Sequence, residues 1–448
     1  MKNKQFGMVL PIILLSYFMI LLDNSIVFTS TVKIAQDLQM STQALSWVTN
    51  AYALTFGGLL MLGGRAGDLF GRRRVFLIGL LIFSFGSLMV GVSVNGIMII
   101  VMRAVQGIGS AILAPTTLAL LMDSYSGNMR TRAIIYYGAT GGLGASFGLV
   151  IGGVIASYTT WRLGFLLNVP IGILMMLLTL KFVPVSRADT GKLDWPGAIL
   201  SVIGIILLVY GINGASQPVI TIIVAILFLA GFVWQEHRSH NPIMPLRLFA
   251  DRERSSAYVA RFFFLGAMIS YFFLTPQAMQ NVYHFTPLMA AIGFLPETVP
   301  QFIFATLVTR LNTWLTNVQI MLLGTVITTI GLLLAAVVQV QNGYWLAIGL
   351  PMIIIGVGQG FTLSPLTVSG VANTDPEIAG SASGVVNTVH QVGSSFGLSV
   401  ITLLTSGIVS PVMSYNRALV IMTGFMILAL LAVINILVAH RTEVNHEH

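Results

Sequence analysis

The sequence predicts an all-α polytopic membrane protein of fourteen transmembrane helices, set out as two six-helix halves with an inserted helix pair. Three observations predict it. Of 448 residues, 56% are hydrophobic and only 8% charged, with a mean hydropathy of +0.90, whereas a soluble domain carries about 25% charged residues. Apolar runs of about 20 residues, the length of a bilayer crossing, recur along the whole chain. The basic residues between them fall almost entirely on alternate connections, as cytoplasmic loops do.

In order, the runs are 8–30, 44–64, 75–94, 97–122, 133–157, 164–182, 195–213, 218–234, 256–280, 288–309, 317–339, 344–369, 379–408 and 417–439. The first follows a basic end, MKNKQFG. Its apolar stretch is too long for a signal peptide and no A-x-A-like site follows, so it reads as a retained helix. An even count puts both termini on one side. With the N-terminus inside, inner ends and loops hold seventeen Lys and Arg, among them Lys2, Lys4, Arg65, Arg130, Lys181, Arg187, Lys192, Arg238 and Arg310. Outer loops hold only Lys33, Arg162 and Arg417; Arg103 and Arg261, within spans, complete the 22. One missed crossing would scramble that split, so both termini are expected in the cytoplasm.

The hydrophilic stretches 183–194 and 235–255 flank the seventh and eighth spans. The expected division is an N-terminal six-helix half over 1–183, an inserted two-helix segment with cytoplasmic linkers over 184–254, and a C-terminal six-helix half over 255–448. No loop can hold a catalytic domain, and neither a Ser/His/Asp set nor a metal-spacing cluster occurs in the spans. The chain has no G-x-x-x-x-G-K phosphate loop, and GVGQG lies in an apolar helix rather than after a strand. Enzyme and ATP-driven pump are thereby excluded, and no metal or cofactor is expected. The net charge of +8 marks cytoplasmic loops rather than a nucleic-acid partner. The absence of Cys excludes disulfides.

The connection between spans two and three reads GGRAGDLFGRRRVFLIG. Gly64, Gly67 and Gly71 permit a tight turn at the membrane surface, and Asp68 stands among arginines. This spacing resembles the hallmark loop of the major facilitator superfamily: Gly64, Asp68, Gly71, Arg72 and Arg73 match, whereas Ala66 and Leu69 depart. In span four, VMRAVQGIGSA is similar to the family's R-x-x-q-G-x-g pattern at Arg103, Gln106, Gly107 and Gly109. LLDNSIVF resembles the opening of the fourteen-helix drug:proton antiporters, with Ser25 in the Thr place, and WRLGFLLNVPIG resembles a later run of that group. GATGGLGASFGLVIGG in span five places Gly144, Gly148, Gly152 and Gly153 for close helix packing. Leu149 stands where the family's antiporter motif has proline, which puts the expected kink in doubt. The matches are dense in the N-terminal half and loose in the C-terminal half.

The resemblance implies a bacterial cytoplasmic-membrane exporter that exchanges protons for lipophilic, often cationic or zwitterionic drugs or dyes by alternating access. It implies a conformational latch at Gly64, Asp68, Gly71, Arg72 and Arg73, and a proton-coupling role for Arg103. The partners expected are small molecules and the lipid bilayer, with no nucleic acid, and a monomer is the expected state. The alternatives are a narrower exporter of tetracycline-like or lipid-like substrates and, from another class, a channel or a transport-dead regulator.

Of fourteen acidic residues, only Asp23 and Glu297 fall well inside spans. Intramembrane charge is costly, about 2.5–3.5 kcal/mol on insertion scales, so each marks a function. Asp23 lies ~22 Å past the inner end of span one and Glu297 ~13 Å below the outer end of span ten. The two belong to opposite halves and are expected to share a central cavity, taking a proton from outside or pairing with a cationic substrate. The structural alternatives are a hydrogen bond from Asp23 to a neighbouring helix, and a capping role for Glu297 beside Pro296. Arg103 has a backbone tether as its alternative. Arg261 is expected to snorkel to the inner surface. His390 either titrates or packs. The remaining cavity candidates are Asn24, Asn50, Gln277, Gln280, Gln301, Asn387 and Gln391.

Overall fold

A computed structural model describes residues 6–185, 194–239, 242–374 and 378–446. Lys2, Lys4, Arg187 and Lys192 of the charge pattern lie outside them. Among the described residues the structure is helical throughout, with no strand.

The helices are α1 (Val9–Asp37), α2 (Thr42–Phe70), α3 (Arg72–Gly91), α4 (Gly96–Ser124), α5 (Gly127–Tyr158), α6 (Trp161–Leu166), α7 (Asn168–Phe182) and α8 (Trp195–Ile212). There follow α9 (Pro218–Arg238), α10 (Arg252–Val282), α11 (Pro287–Ile292), α12 (Leu295–Leu311), α13 (Asn317–Val338), α14 (Leu350–Ser369), α15 (Ala379–Thr405) and α16 (Pro411–His446). Twelve stretches among the described residues are long and apolar enough to cross a membrane. This is two fewer than the fourteen expected. The other two predicted places are taken by α5 and α15, continuous helices of 32 and 27 residues rich in Gly and Ser.

Three expected spans are interrupted, each four residues ahead of a proline or within a turn of that point. Pro170 follows the α6/α7 break at Leu167, Pro296 follows the end of α11 at Ile292, and Pro351 follows a wider π-type turn over Trp345–Gly349. The cause is shared: proline has no N–H for the carbonyl four residues earlier, and its ring crowds that carbonyl. By contrast α5 runs unbroken through Leu149, the place where the family motif has proline.

The chain forms two compact units, Met1–Ile206 and Leu207–His448, with the boundary inside α8. In the first, α4 packs against α2 and α3, α3 against α7, and α1 against α5. Its core gathers Ile12, Ile13, Met19, Tyr52, Phe76, Leu80, Phe83 and Leu113. The α1–α5 contact is close because glycine faces α1. A Cβ on Gly148 would lie 2.6 Å from Ser25 Cβ, and one on Gly152 would lie 2.9 Å from Ile26 Cα. Gly144 meets Leu21 in the same way, and Gly153 is buried. That contact holds the stretch of α1 that carries Asp23.

In the second unit α10 packs against α15 and α16, α13 against α14 and α16, and α12 against α14. Ala257, Ala260, Val318, Met321, Leu366, Val433 and Ile436 form one of its cores. α9 buries only Ala225, Phe232 and Glu236 and leaves Val219, Ile220, Ile223, Ile226 and Leu227 exposed, a surface that suits lipid rather than water.

Candidate functional site

Asp23 is 0% exposed and sits at the centre of a polar cluster drawn from five helices. Its Oδ2 accepts from Arg103 Nη1 at 2.5 Å, and its Oδ1 accepts from Gln106 Nε2 at 2.7 Å and Asn168 Nδ2 at 2.9 Å. Arg103, 1% exposed, also donates from Nη1 to Gln106 Oε1 at 2.8 Å and from Nε to the Val48 carbonyl at 3.0 Å. Its guanidinium lies 4.2 Å from the Tyr52 ring centre, a cation–π contact. Ser87 Oγ receives amide N–H groups from both Gln106, at 2.7 Å, and Asn168, at 2.9 Å. Tyr52 donates to Ser110 at 2.7 Å and accepts from Asn24 Nδ2 at 3.1 Å. Every group touching the Asp23 carboxylate is a donor, and one of them is a cation.

Arg103 thus makes the backbone tether to α2 and also pairs with Asp23. Removing one partner of such a buried pair typically costs about 3–5 kcal/mol, because the other charge is stranded.

Glu297 has a different environment. It is also 0% exposed, in the first turn of α12 just after the break that precedes Pro296. Its Oε1 accepts from Gln359 Nε2 at 2.6 Å, while Oε2 is buried without a hydrogen-bond partner. Gln359 Oε1 in turn accepts from Gln301 Nε2 at 3.3 Å. α14 approaches closely because Gly356 lies against the Glu297 backbone, where a Cβ would sit 2.1 Å from the carbonyl oxygen. No cation among the described residues pairs with Glu297.

Arg261 does not reach the surface, contrary to the expectation from its depth. It is buried on α10, with Nη1 donating to Thr367 Oγ1 at 2.9 Å and Nη2 to His390 Nδ1 at 3.3 Å. His390 is thus a hydrogen-bonded partner of an arginine.

The other candidates divide. Asn24 belongs to the Asp23 cluster through Tyr52, and Gln301 to the Glu297 site through Gln359. Asn50 is buried on α2. Gln277, Gln280 and Asn387 donate to carbonyls of their own helices, and Gln391 is half-buried. Sequence reasoning passed over Tyr52, Ser87, Asn168 and Gln359 as site residues. A signal for three of them existed: Ser87, Asn168 and Gln359 are polar residues inside apolar spans.

At the α2–α3 connection Gly71 has φ +88°, open to glycine at little cost. Arg72 donates from Nη2 to Asp68 Oδ1 at 3.0 Å, pairs with Asp123 in the last turn of α4, and reaches the Ala119 carbonyl at 3.1 Å. Arg73 reaches the Leu180 carbonyl at 2.6 Å. Asp123 is the member that the loop motif does not contain. Gly64 lies one turn before Asp68, facing Pro115 of α4.

The sequence profile of the Major Facilitator Superfamily matches residues 13–398. The Cephamycin export protein CmcT of Amycolatopsis lactamdurans is 32% identical over 406 residues, covering 87% of this chain and 83% of the relative. The Puromycin resistance protein pur8 of Streptomyces alboniger is 31% identical over 412 residues, covering 89% and 81%. The Multidrug resistance protein Stp of Mycobacterium tuberculosis is 30% identical over 396 residues, covering 86% and 73%. Among solved structures, the inward-facing bacterial homolog of the human lysosomal transporter Spinster aligns with a TM-score of 0.71 at 15% identity over 99% of both chains. The inward-open xylose transporter XylE from E. coli aligns with a TM-score of 0.67 at 12% identity, over 96% of this chain and 95% of that one. At such identities these two speak for the fold alone. The relatives are transporters rather than enzymes, and the chain belongs to the major facilitator superfamily.

Proposed function

We propose that this protein is a proton-coupled exporter of lipophilic, often cationic or zwitterionic drugs or dyes, working by alternating access as a monomer in the bacterial cytoplasmic membrane. In this reading α5 and α15 complete fourteen crossings, both termini are cytoplasmic, and 184–254 is a helix pair inserted between two six-helix halves.

The observation that carries the proposal is the unequal condition of the two buried carboxylates. Asp23 has a cation and two amide donors, whereas Glu297 has one amide and a bare oxygen. An ionised carboxylate buried without compensation costs several kcal/mol. Glu297 therefore holds the coupling proton in this conformation, and Asp23 is held by Arg103. Loss of the Glu297 proton creates a demand for a positive charge, which a cationic substrate meets, so proton and substrate compete for one carboxylate. The Asp68–Arg72–Asp123 linkage serves as the latch between conformations.

The test is uptake of ethidium by proteoliposomes under an imposed proton gradient. Uptake should follow the gradient and collapse with it; a rate indifferent to the gradient rules out antiport. A narrower exporter is favoured by relatives named for a single antibiotic. An efflux panel of cationic, zwitterionic and neutral compounds at several pH values separates the two readings.

A further inference from the structure

α10 carries two buried arginines in different circumstances. Arg254 donates to the carbonyls of Leu248, Ala372, Asn373 and Arg247 and to Thr374 Oγ1. Arg261, two turns later and 6% exposed, has only Thr367 and His390, and its Nε–H is buried without a partner. None of the ion pairs among the described residues includes it. A guanidinium has five N–H donors and no acceptor, and a buried arginine is ordinarily paired. Arg103 shows what pairing looks like in this same chain.

Access and further donors are present. Thr367 is exposed and His390 half-buried, so the guanidinium lies one side chain below an open surface. His390 accepts from Arg261 through Nδ1, which leaves Nε2–H of the neutral ring as another donor.

We infer that Arg261, assisted by His390, binds an oxyanion of the exported compound, a carboxylate or phosphate, through its unpartnered Nε–H and an adjacent Nη–H. This rests on the proposed export function and narrows its substrates to zwitterions and lipophilic acids. Two parallel N–H bonds from one planar group suit an oxyanion and add geometric selectivity that an ammonium lacks. The same chemistry is carried by anionic lipid headgroups, so the experiment must tell the two sources apart.

The full chain is placed in phosphatidylcholine nanodiscs, with no gradient, and equilibrium binding of 2-naphthoate is compared with that of its neutral analogue 2-naphthamide. The wild type should prefer the acid by roughly ten-fold, the discrimination typical of one good charge-assisted contact. Arg261→Gln should abolish the preference and Arg261→Lys retain only part of it. Thr367→Val, at an exposed position, should reduce it several-fold through loss of an anchor for the guanidinium, and it serves if Arg261→Gln fails to fold. Equal affinities in the wild type, or a preference that survives Arg261→Gln, overturn the inference. So does a loss of naphthoate affinity in phosphatidylglycerol discs that is several-fold larger for the wild type than for Arg261→Gln, which would assign the site to a lipid headgroup, since surface potential excludes the anion from both alike. Binding is read at equilibrium, so failure of gradient-driven ethidium uptake would remove the export reading and leave this result interpretable.

Discussion

At the scale of single residues, two carboxylates of equal burial have opposite surroundings, and their variants should fail in opposite ways. Asp23→Asn strands Arg103 beside Tyr52 and the Val48 carbonyl. It should lower stability by about 3–5 kcal/mol, measured as a fall in Tm and folded yield, with partial recovery in the Asp23→Asn/Arg103→Gln double variant. An unchanged Tm would show that the pair contributes nothing to the fold. Glu297→Gln removes no counter-charge and keeps an oxygen for Gln359. It should preserve Tm, while ethidium binding weakens and loses its pH dependence and uptake loses its response to the proton gradient; a gradient-responsive Glu297→Gln variant would remove Glu297 from the coupling role. Both acids were visible in the sequence as rare charges in apolar runs. Their difference was not, because it depends on donors from distant positions: Gln106 is 83 residues from Asp23 and Asn168 is 145.

At the scale of elements, α1 is positioned by the glycine face of α5, and α12 by the approach of α14 at Gly356. The glycine spacing made the first contact legible, since a four-residue repeat lines one helix face. Span interruptions were only partly legible. The prolines were in view, but whether one ends a helix or is absorbed depends on what surrounds the freed carbonyl. Pro115, Pro276 and Pro365 lie inside continuous α4, α10 and α14, while Pro296 follows a break. At the α2–α3 connection, Arg72 links Asp68 to Asp123 across three helices. Asp68→Asn should therefore slow turnover by ten-fold or more while equilibrium dye binding changes little, with transport rate and binding measured on the same preparation. A loss confined to binding would exclude a latch. The pairs are half-exposed, so the stability cost should be small, on the order of 1 kcal/mol or less.

At the scale of the whole molecule, fourteen crossings with both termini inside makes a mapping prediction. The native chain has no cysteine, so single cysteines introduced at Ser126 and at Ser216 report on one loop each. Ser126 should react with an impermeant maleimide only from the cytoplasmic side, and Ser216 only from outside. Both reacting from one side would break the count. Composition, the apolar runs and the alternation of basic loops determined the class, a polytopic all-helical membrane protein, because a bilayer imposes its length and charge rules on any sequence that crosses it. The short motifs carried the resemblance to the superfamily and drew attention to Asp68, Arg103 and Asp23. Only the tertiary structure decided which buried groups are compensated: among the described residues, Asp23 by Arg103, Glu297 by no cation, and Arg261 by neither acid. The physical reason is that compensation is a matter of distances of about 3 Å between side chains far apart in the chain, and periodicity along one helix carries no information about them.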